Sequence, residues 1–353
     1  MSLFFVALAV EGVLLTVIAA LVVLHRVLRV RRDRVGRLVE ARTAAGLRAW
    51  LLEGQGAHAY IRALTDIPPH IALHRLATAM TEHIPLEHRD ELVVLLRVEQ
   101  WTAAIARQAA SRFWWRRLAA ARLLAFTADP SDRVRVRRLL DDPHPAVRTA
   151  ATRCLPRVND PELVALVLDR LPPLAPLVRA ALTVTLRDLA SHTVPALLAR
   201  LTSAASSREL EAWINVAEVI GAPEAYPHLA ALAGHEEAVV RLAVARALKR
   251  QFHSDASDVL ATLLSDGDWR VRAQAARSLG ALGAHEKTPA LETALADSAW
   301  WVRFRASLAL AQMGEPGRRV LKESRRASDR MARDMSSLVC GLSDGSIIEL
   351  TEA

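Results

Sequence analysis

Asp141-Asp142-Pro143-His144-Pro145-Ala146-Val147-Arg148-Thr149-Ala150-Ala151-Thr152-Arg153-Cys154-Leu155 is the stretch from which the rest of the chain can be read. Its core is a Val-Arg pair, then small residues, then a Leu seven places after the Arg. With that Arg as position zero, the frame returns at Arg117, Arg179, Arg241, Arg272 and Arg303. Neighbouring copies are 31 residues apart, and 62 residues separate Arg179 from Arg241, which leaves room for a degenerate copy near Leu210. There, Leu210-Glu211-Ala212-Trp213-Ile214-Asn215-Val216-Ala217 keeps an apolar helical pattern without the Arg. Self-similarity at a fixed period of this size means stacked supersecondary units.

Inside each copy, the residue before the Arg is Val at Val147, Val178, Val240, Val271 and Val302, and position seven is Leu at Leu124, Leu155, Leu186, Leu248, Leu279 and Leu310. Position three is small or aliphatic: Ala120, Ala151, Leu182, Val244, Ala275 and Ala306. At the helical period these sites form one stripe, so each copy carries an amphipathic helix with a narrow core face. A second apolar segment lies between stripes, as in Asp160 to Leu168 ahead of Pro172-Pro173, so each copy is expected to be a helix pair.

Asp142, Asp266 and Asp297 stand six residues before Arg148, Arg272 and Arg303. Asp142 followed by Pro143 also reads as a helix cap with Pro at the first helical position. The expected role is structural: a carboxylate that reaches a guanidinium, in its own turn or in a neighbouring copy, fixes how repeats stack. The pattern of Asp142, Val147-Arg148, Ala151 and Leu155 resembles HEAT repeats of the short bacterial type, also called phycobilisome-lyase HEAT-like repeats, from about Ser111 to Gly314. The resemblance implies an all-α solenoid of helix pairs. Its members serve mainly as scaffolds and binding surfaces, with some bilin lyases and DNA glycosylases among them.

The chain has 353 residues, 52% hydrophobic and 5% aromatic, which suits a stack in which each repeat touches its neighbours. Two cysteines, Cys154 and Cys340, supply no disulfide framework, and Cys154 falls beside the core stripe as a small buried hydrophobe. The net charge is +8, of which residues 25–48 hold +6. From Ala49 onward the sum is only +3, too little for a broad phosphate-tracking groove.

Leu3 to Leu24 is apolar except for Glu11 and Thr16, long enough for a bilayer-spanning helix, and followed rather than preceded by arginines. A single-pass membrane protein with its amino terminus outside and the bulk of the chain cytoplasmic is therefore expected. Arg26, Arg29, Arg31, Arg32 and Arg34 would rest on anionic lipid headgroups, and Glu11 would meet either another membrane helix or water. The expected organisation is residues 1–24 as transmembrane helix, 25–53 as basic juxtamembrane helix, 54–110 as a helical capping region or degenerate repeats, 111–316 as regular repeats, and 317–353 as a closing helix and tail. Helical segments are expected around Ile71 to Met80 and Leu92 to Ala106.

Chemistry-bearing motifs are sparse. His70 with His74, and His83 with His88, lack the further ligands and the HExxH or CxxC spacing that a zinc site needs. No phosphate-cradling glycine loop, Gly-x-Ser-x-Gly elbow or catalytic acidic pair is visible, so no catalytic residue, metal, cofactor or small-molecule substrate is expected. Arg122, Arg153, Arg246 and Arg277 recur at position five, and acidic neighbours such as Glu236, Glu237, Asp266 and Asp268 offset them.

Tryptophan placement is the least ordinary feature. Trp114, Trp269 and Trp300 each stand three residues before the repeat Arg, and Trp115, Arg270 and Trp301 follow them. Trp beside Arg is the composition of interaction hot spots, whereas the same rings could instead fill gaps between repeats or cover the ends of the stack. The expected function is a membrane-anchored scaffold that holds a protein partner, such as a membrane enzyme of the polysaccharide-synthesis glycosyltransferase kind. The alternatives are a bilin lyase-like or DNA glycosylase-like enzyme, or a nucleic-acid-binding solenoid.

Overall fold

The computed structural model describes residues 36–203, 205–251 and 253–352, with Val23 and Arg26 as isolated helical positions. Every regular element among the described residues is helical. The chain divides into two compact units, one made of Met1–Ala128 with Asp142–Ala150, the other of Asp129–Asp141 with Ala151–Ala353.

In the first unit, α1 (described over 36–51), α2 (Ala57–Thr65), α3 (Pro69–Thr78), α4 (Leu86–Leu96), α5 (Glu99–Ala109) and α6 (Trp114–Thr127) follow in order, with a π-helical turn at Ala79–His83. The apolar run from Leu92 to Ala106 is two helices rather than one, because Arg97 and Val98 break it. Helices α3 and α5 both pack on α6, around Leu73, Leu76, Ile105 and Leu123, all at most 2% exposed.

The second unit runs through α7 (Arg133–Leu140), the end of α8 (Pro145–Thr152), α9 (Leu155–Val158), α10 (Pro161–Arg170), α11 (Pro176–Arg187), α12 (Ala190–Leu201) and α13 (Ser207–Ile220). It continues with α14 (Tyr226–Leu232), α15 (Ala238–Leu248), α16 (Ala256–Leu263), α17 (Trp269–Leu282), α18 (Thr288–Ala294) and α19 (Trp300–Gln312). Where one closing helix and a tail are expected, three helices stand: α20 (Glu315–Ser324), α21 (Arg330–Cys340) and α22 (Asp344–Glu352).

Local chemistry sets these limits. Asp160 accepts hydrogen bonds from the amides of Glu162 and Leu163 just ahead of Pro161, and Ser206 with Glu209 forms a reciprocal capping box. Asp142 caps the turn rather than the helix: it accepts from the His144 amide at 2.8 Å, and α8 starts at Pro145, not Pro143. Helices α13 and α17 end on Gly221 and Gly283, both in the left-handed region at φ 67° and 62°.

The repeat stripe forms the core. Val147, Val240, Val271 and Val302 are 0% exposed, as are Leu155, Leu186, Leu248, Leu279 and Leu310. Burying each such Leu contributes about 1.5–3 kcal/mol. Helices α13, α15, α17 and α19 pack in succession, and the α17–α19 approach is close enough to demand glycine. A Cβ at Gly280 would stand 2.7 Å from Ala309 Cα and 2.8 Å from its Cβ. In the degenerate copy the Arg is replaced by Leu210, which is buried at 4% exposure beside Trp213.

The expected single-pass membrane localisation is corrected. Among the described residues no helix is long and apolar enough to cross a membrane. The longest described helical stretch, α1 over 36–51, reaches about 24 Å and the 14-residue helices α6, α13 and α17 about 21 Å at ~1.5 Å per residue, short of a ~30 Å hydrocarbon core. The stretch from Leu3 to Leu24, including Glu11, lies outside the described residues except for the helical, exposed Val23, as do Arg29, Arg31, Arg32 and Arg34, while Arg26 is helical and exposed.

Candidate functional site

The position-zero arginines tie the turns together. Nη1 of Arg148 donates to the carbonyls of Asp142 and Pro143 at 2.8 and 3.0 Å, six and five residues back. Arg241 does the same to His235 and Glu236, and Arg303 to Asp297 and Ser298. In Arg241 and Arg272 the remaining guanidinium edge points to the next copy. Arg241 Nε and Nη2 meet the Asp266 carboxylate at 2.6 and 2.8 Å, and Arg272 meets Asp297 at 2.7 and 2.8 Å. In the first unit Arg117 pairs with Asp142 in the same bidentate way. Each Asp thus offers its side chain to the preceding Arg and its backbone carbonyl to its own.

Burial alone would raise the Asp142 and Asp297 carboxyls. The hydrogen bonds from Arg117 and Arg272, with those from the His144 and Ala299 amides, outweigh it and hold both below the usual carboxylate range. Asp266 is held low chiefly by its hydrogen bond from Arg241.

One further copy escapes the sequence pattern. Arg333 donates through Nη1 to the carbonyls of Ala327 and Ser328 at 2.8 and 2.7 Å, the same six-and-five-back clamp. It is 30 residues after Arg303, but Ala332 stands in place of Val and Cys340 in place of Leu. The spacing was the available signal.

The eight tryptophans fall into two groups. Trp50, Trp101 and Trp213 are buried at 4–6% exposure, whereas Trp114, Trp115, Trp269, Trp300 and Trp301 are 40–48% exposed. The exposed group is the one that stands three or two residues before the repeat Arg. In the first unit, Trp114 stacks flat on His144 with centroids 3.9 Å apart, and Trp115 stacks on Phe113 at 4.6 Å. In the second unit, Trp300 stacks on Phe304 at 4.8 Å and meets Trp301 edge-on at 4.9 Å. These contacts fix the rings while leaving large apolar faces in solvent, the preorganised state that favours binding.

Trp269 and Trp301 wall a groove of about 160 Å³ between α17 and α19, with Arg270, Gln274, Arg277 and Arg305 along it. Arg270 is held by Asp268, whose carboxyl is lowered to about 2 mainly by that Arg270 side-chain hydrogen bond. Arg277 Nη2 donates to the Thr351 carbonyl at 2.9 Å and Arg305 Nη1 to the Leu350 carbonyl at 2.8 Å, so the end of α22 closes one side. Nothing in the sequence pattern pointed to this clasp.

Other candidates are placed elsewhere. His70 and His74 sit beside α6, and both are held below the ordinary histidine range by burial first and by nearby arginines second, Arg116 for His70 and Arg75 with Arg122 for His74. No group of three or more metal-ligating side chains occurs among the described residues. Cys154 is buried, and burial pushes its thiol up to about 12. Of the position-five arginines, Arg246 is ion-paired to Glu218 at 2.7 Å and Arg277 is engaged by α22.

No curated protein matches the sequence. Among solved structures, the chain is similar to one described as the Kap95:Nup1 complex, at 13% identity and TM-score 0.52, covering 84% of this chain and 47% of that one. It is also similar to a structure of Kap95p bound to RanGDP, at 13% identity and TM-score 0.50, covering 80% and 48%. The chain spans about half the length of these structures, and at such identity they show the fold alone. A phycocyanin lyase CpcE and CpcF complex matches at a TM-score of only 0.27 and carries no argument here. The family model for HEAT repeats matches residues 98–187, 226–311 and 256–336, more than half of the sequence. The chain belongs to the HEAT-repeat family.

Proposed function

We propose that this chain is a scaffold that binds a protein partner through the tryptophan-bearing turns of its repeats. The observation that carries the reading is that the five tryptophans at the start of the repeat helices are all 40–48% exposed, while the three elsewhere are buried. A free-standing fold gains little from leaving five indoles half in water, whereas Trp and Arg anchors dominate protein interfaces. The similar structures described with Nup1 and RanGDP are complexes of a protein with a protein, which supports the same direction. A membrane enzyme and anionic lipids as partners depended on the expected span and form no part of this proposal.

Affinity purification of the full chain, beside a Trp269→Ala/Trp300→Ala variant, tests the reading. Proteins recovered with the wild type should be lost from the variant while thermal stability stays nearly unchanged. Equal recovery from both would overturn it.

A further inference from the structure

We propose that the groove between α17 and α19 docks an acidic protein segment, one that presents a carboxylate beside a large apolar side chain. The inference rests on the scaffold reading and names the chemistry of what the scaffold takes. Trp269 and Trp301 supply two apolar walls, each nearly half exposed. Trp301 is additionally held edge-on by Trp300 and Phe304, so binding need not order it.

Charge selects the occupant. Arg270 is already satisfied by Asp268, but Arg305 has no acidic partner among the described residues. Partial burial first, and the neighbouring Arg277 second, push the Arg305 guanidinium below its ordinary range, as expected of a cation that lacks a compensating anion. The chain itself shows what this pair of arginines accepts. Arg277 and Arg305 hold the Thr351 and Leu350 carbonyls, the last turn of α22 and the negative pole of that helix. A carboxylate beside them would form the stronger, charge-assisted version of the same bond.

Size argues against a metabolite. A groove of about 160 Å³ falls below the roughly 300–1,000 Å³ typical of small-molecule sites, and fits one side chain of a larger partner. Nucleic acid fits less well, because phosphate tracking needs an extended array of cations and one of the three arginines here is neutralised by Asp268.

Fluorescence anisotropy on the full chain tests the proposal, with a labelled peptide carrying Glu on both sides of a Leu, the same peptide with Gln for Glu, and a short DNA duplex. The Glu peptide should bind, the Gln peptide about tenfold more weakly, and Arg305→Gln or Trp301→Ala should each lose about tenfold, as expected for removal of an interface anchor. Leu177→Ala, at an exposed position of α11 outside the groove lining, should change nothing. If Arg305→Gln fails to fold, Trp301→Ala carries the comparison. Equal binding of the Glu and Gln peptides, no binding, indifference to both substitutions, or Arg305-dependent binding of the duplex in preference to the peptide would each overturn the inference. Should the peptide fail while Trp269→Ala/Trp300→Ala still loses captured proteins, the groove chemistry is wrong and the scaffold reading stands. Should that variant capture normally while the peptide binds, the scaffold reading is what falls.

Discussion

Arg272 reaches forward 25 residues to Asp297, with Nε 2.7 Å from Oδ2 and Nη2 2.8 Å from Oδ1. The two side chains are 15% and 12% exposed, so the pair is largely removed from water. Asp297 also accepts the Ala299 amide at 2.8 Å, which makes one carboxylate the junction of two helix pairs. Removing one partner of such a pair leaves the other charge partly buried and unmatched.

Asp297→Asn should therefore destabilise the chain by about 2–3 kcal/mol, the range of charge-assisted hydrogen bonds that are mostly desolvated. Asp334→Asn is the control: Arg330 and Asp334 are 85% and 70% exposed, and an ion pair so open to solvent contributes little. Urea unfolding of both variants reads the difference. Equal midpoints would show that the Arg–Asp rungs do not hold the repeats together.

The next rung is incomplete, and completing it should help. Arg303 has Ala327 where Arg272 has Asp297, six residues before the next clamping arginine, and its Nε is buried without a hydrogen-bond partner. Ala327 already lies in the turn that Arg333 clamps. Ala327→Asp should raise stability by about 1 kcal/mol by supplying the missing acceptor. The gain should vanish when Arg303 is changed to Gln in the same background. A gain that survives that change would have another source.

Acid sensitivity follows from the same carboxylates. Asp142, Asp266 and Asp297 are held below the usual carboxylate value in the folded chain, so the unfolded chain binds protons first. Their contribution is fully present above about pH 4, the unfolded value, and is lost as pH falls through the lower folded values. Thermal melts should be flat with respect to these groups from pH 7 to about 5 and fall steeply below about 4. In Asp297→Asn the acid slope should be shallower, because one of the three linked protons is gone. An unchanged slope would remove Asp297 from the linkage.

The period, the Val-Arg-Leu frame and the helix pairs were legible because burial of a stripe leaves a repeating mark on the sequence. Val271, Ala275 and Leu279 are each 0% exposed where the frame puts them. Which Arg meets which Asp was not legible. The choice between a bond within the turn and one to a neighbouring copy depends on how far one helix pair is offset from the next, and both distances look equal in sequence. The Arg333 copy was missed because Ala332 and Cys340 replace the Val and Leu that marked the others. The clasp of α22 by Arg277 and Arg305 uses backbone carbonyls, which no side-chain pattern announces. The membrane expectation rested on Leu3 to Leu24 and the arginines that follow, a stretch described before residue 36 only at Val23 and Arg26, and no described helix supports it.

The tryptophans should separate by energy as they do by exposure. Trp213 stands at position three of the degenerate copy, 5% exposed, and its Nε1 donates to the buried Leu168 carbonyl at 3.0 Å. Trp213→Ala would leave a cavity and remove the indole hydrogen bond to that carbonyl, at about 3–5 kcal/mol for a large-to-small core change. Trp269, 44% exposed, has no stacked aromatic partner among the described residues. Trp269→Ala loses about half of one ring's burial and should cost about 1 kcal/mol or less. Differential scanning calorimetry should thus show a large fall in melting temperature for the first and a small one for the second. Two large falls would mean that Trp269 is there to hold α17 in place, and the case for the exposed rings as binding anchors would fail at its central position.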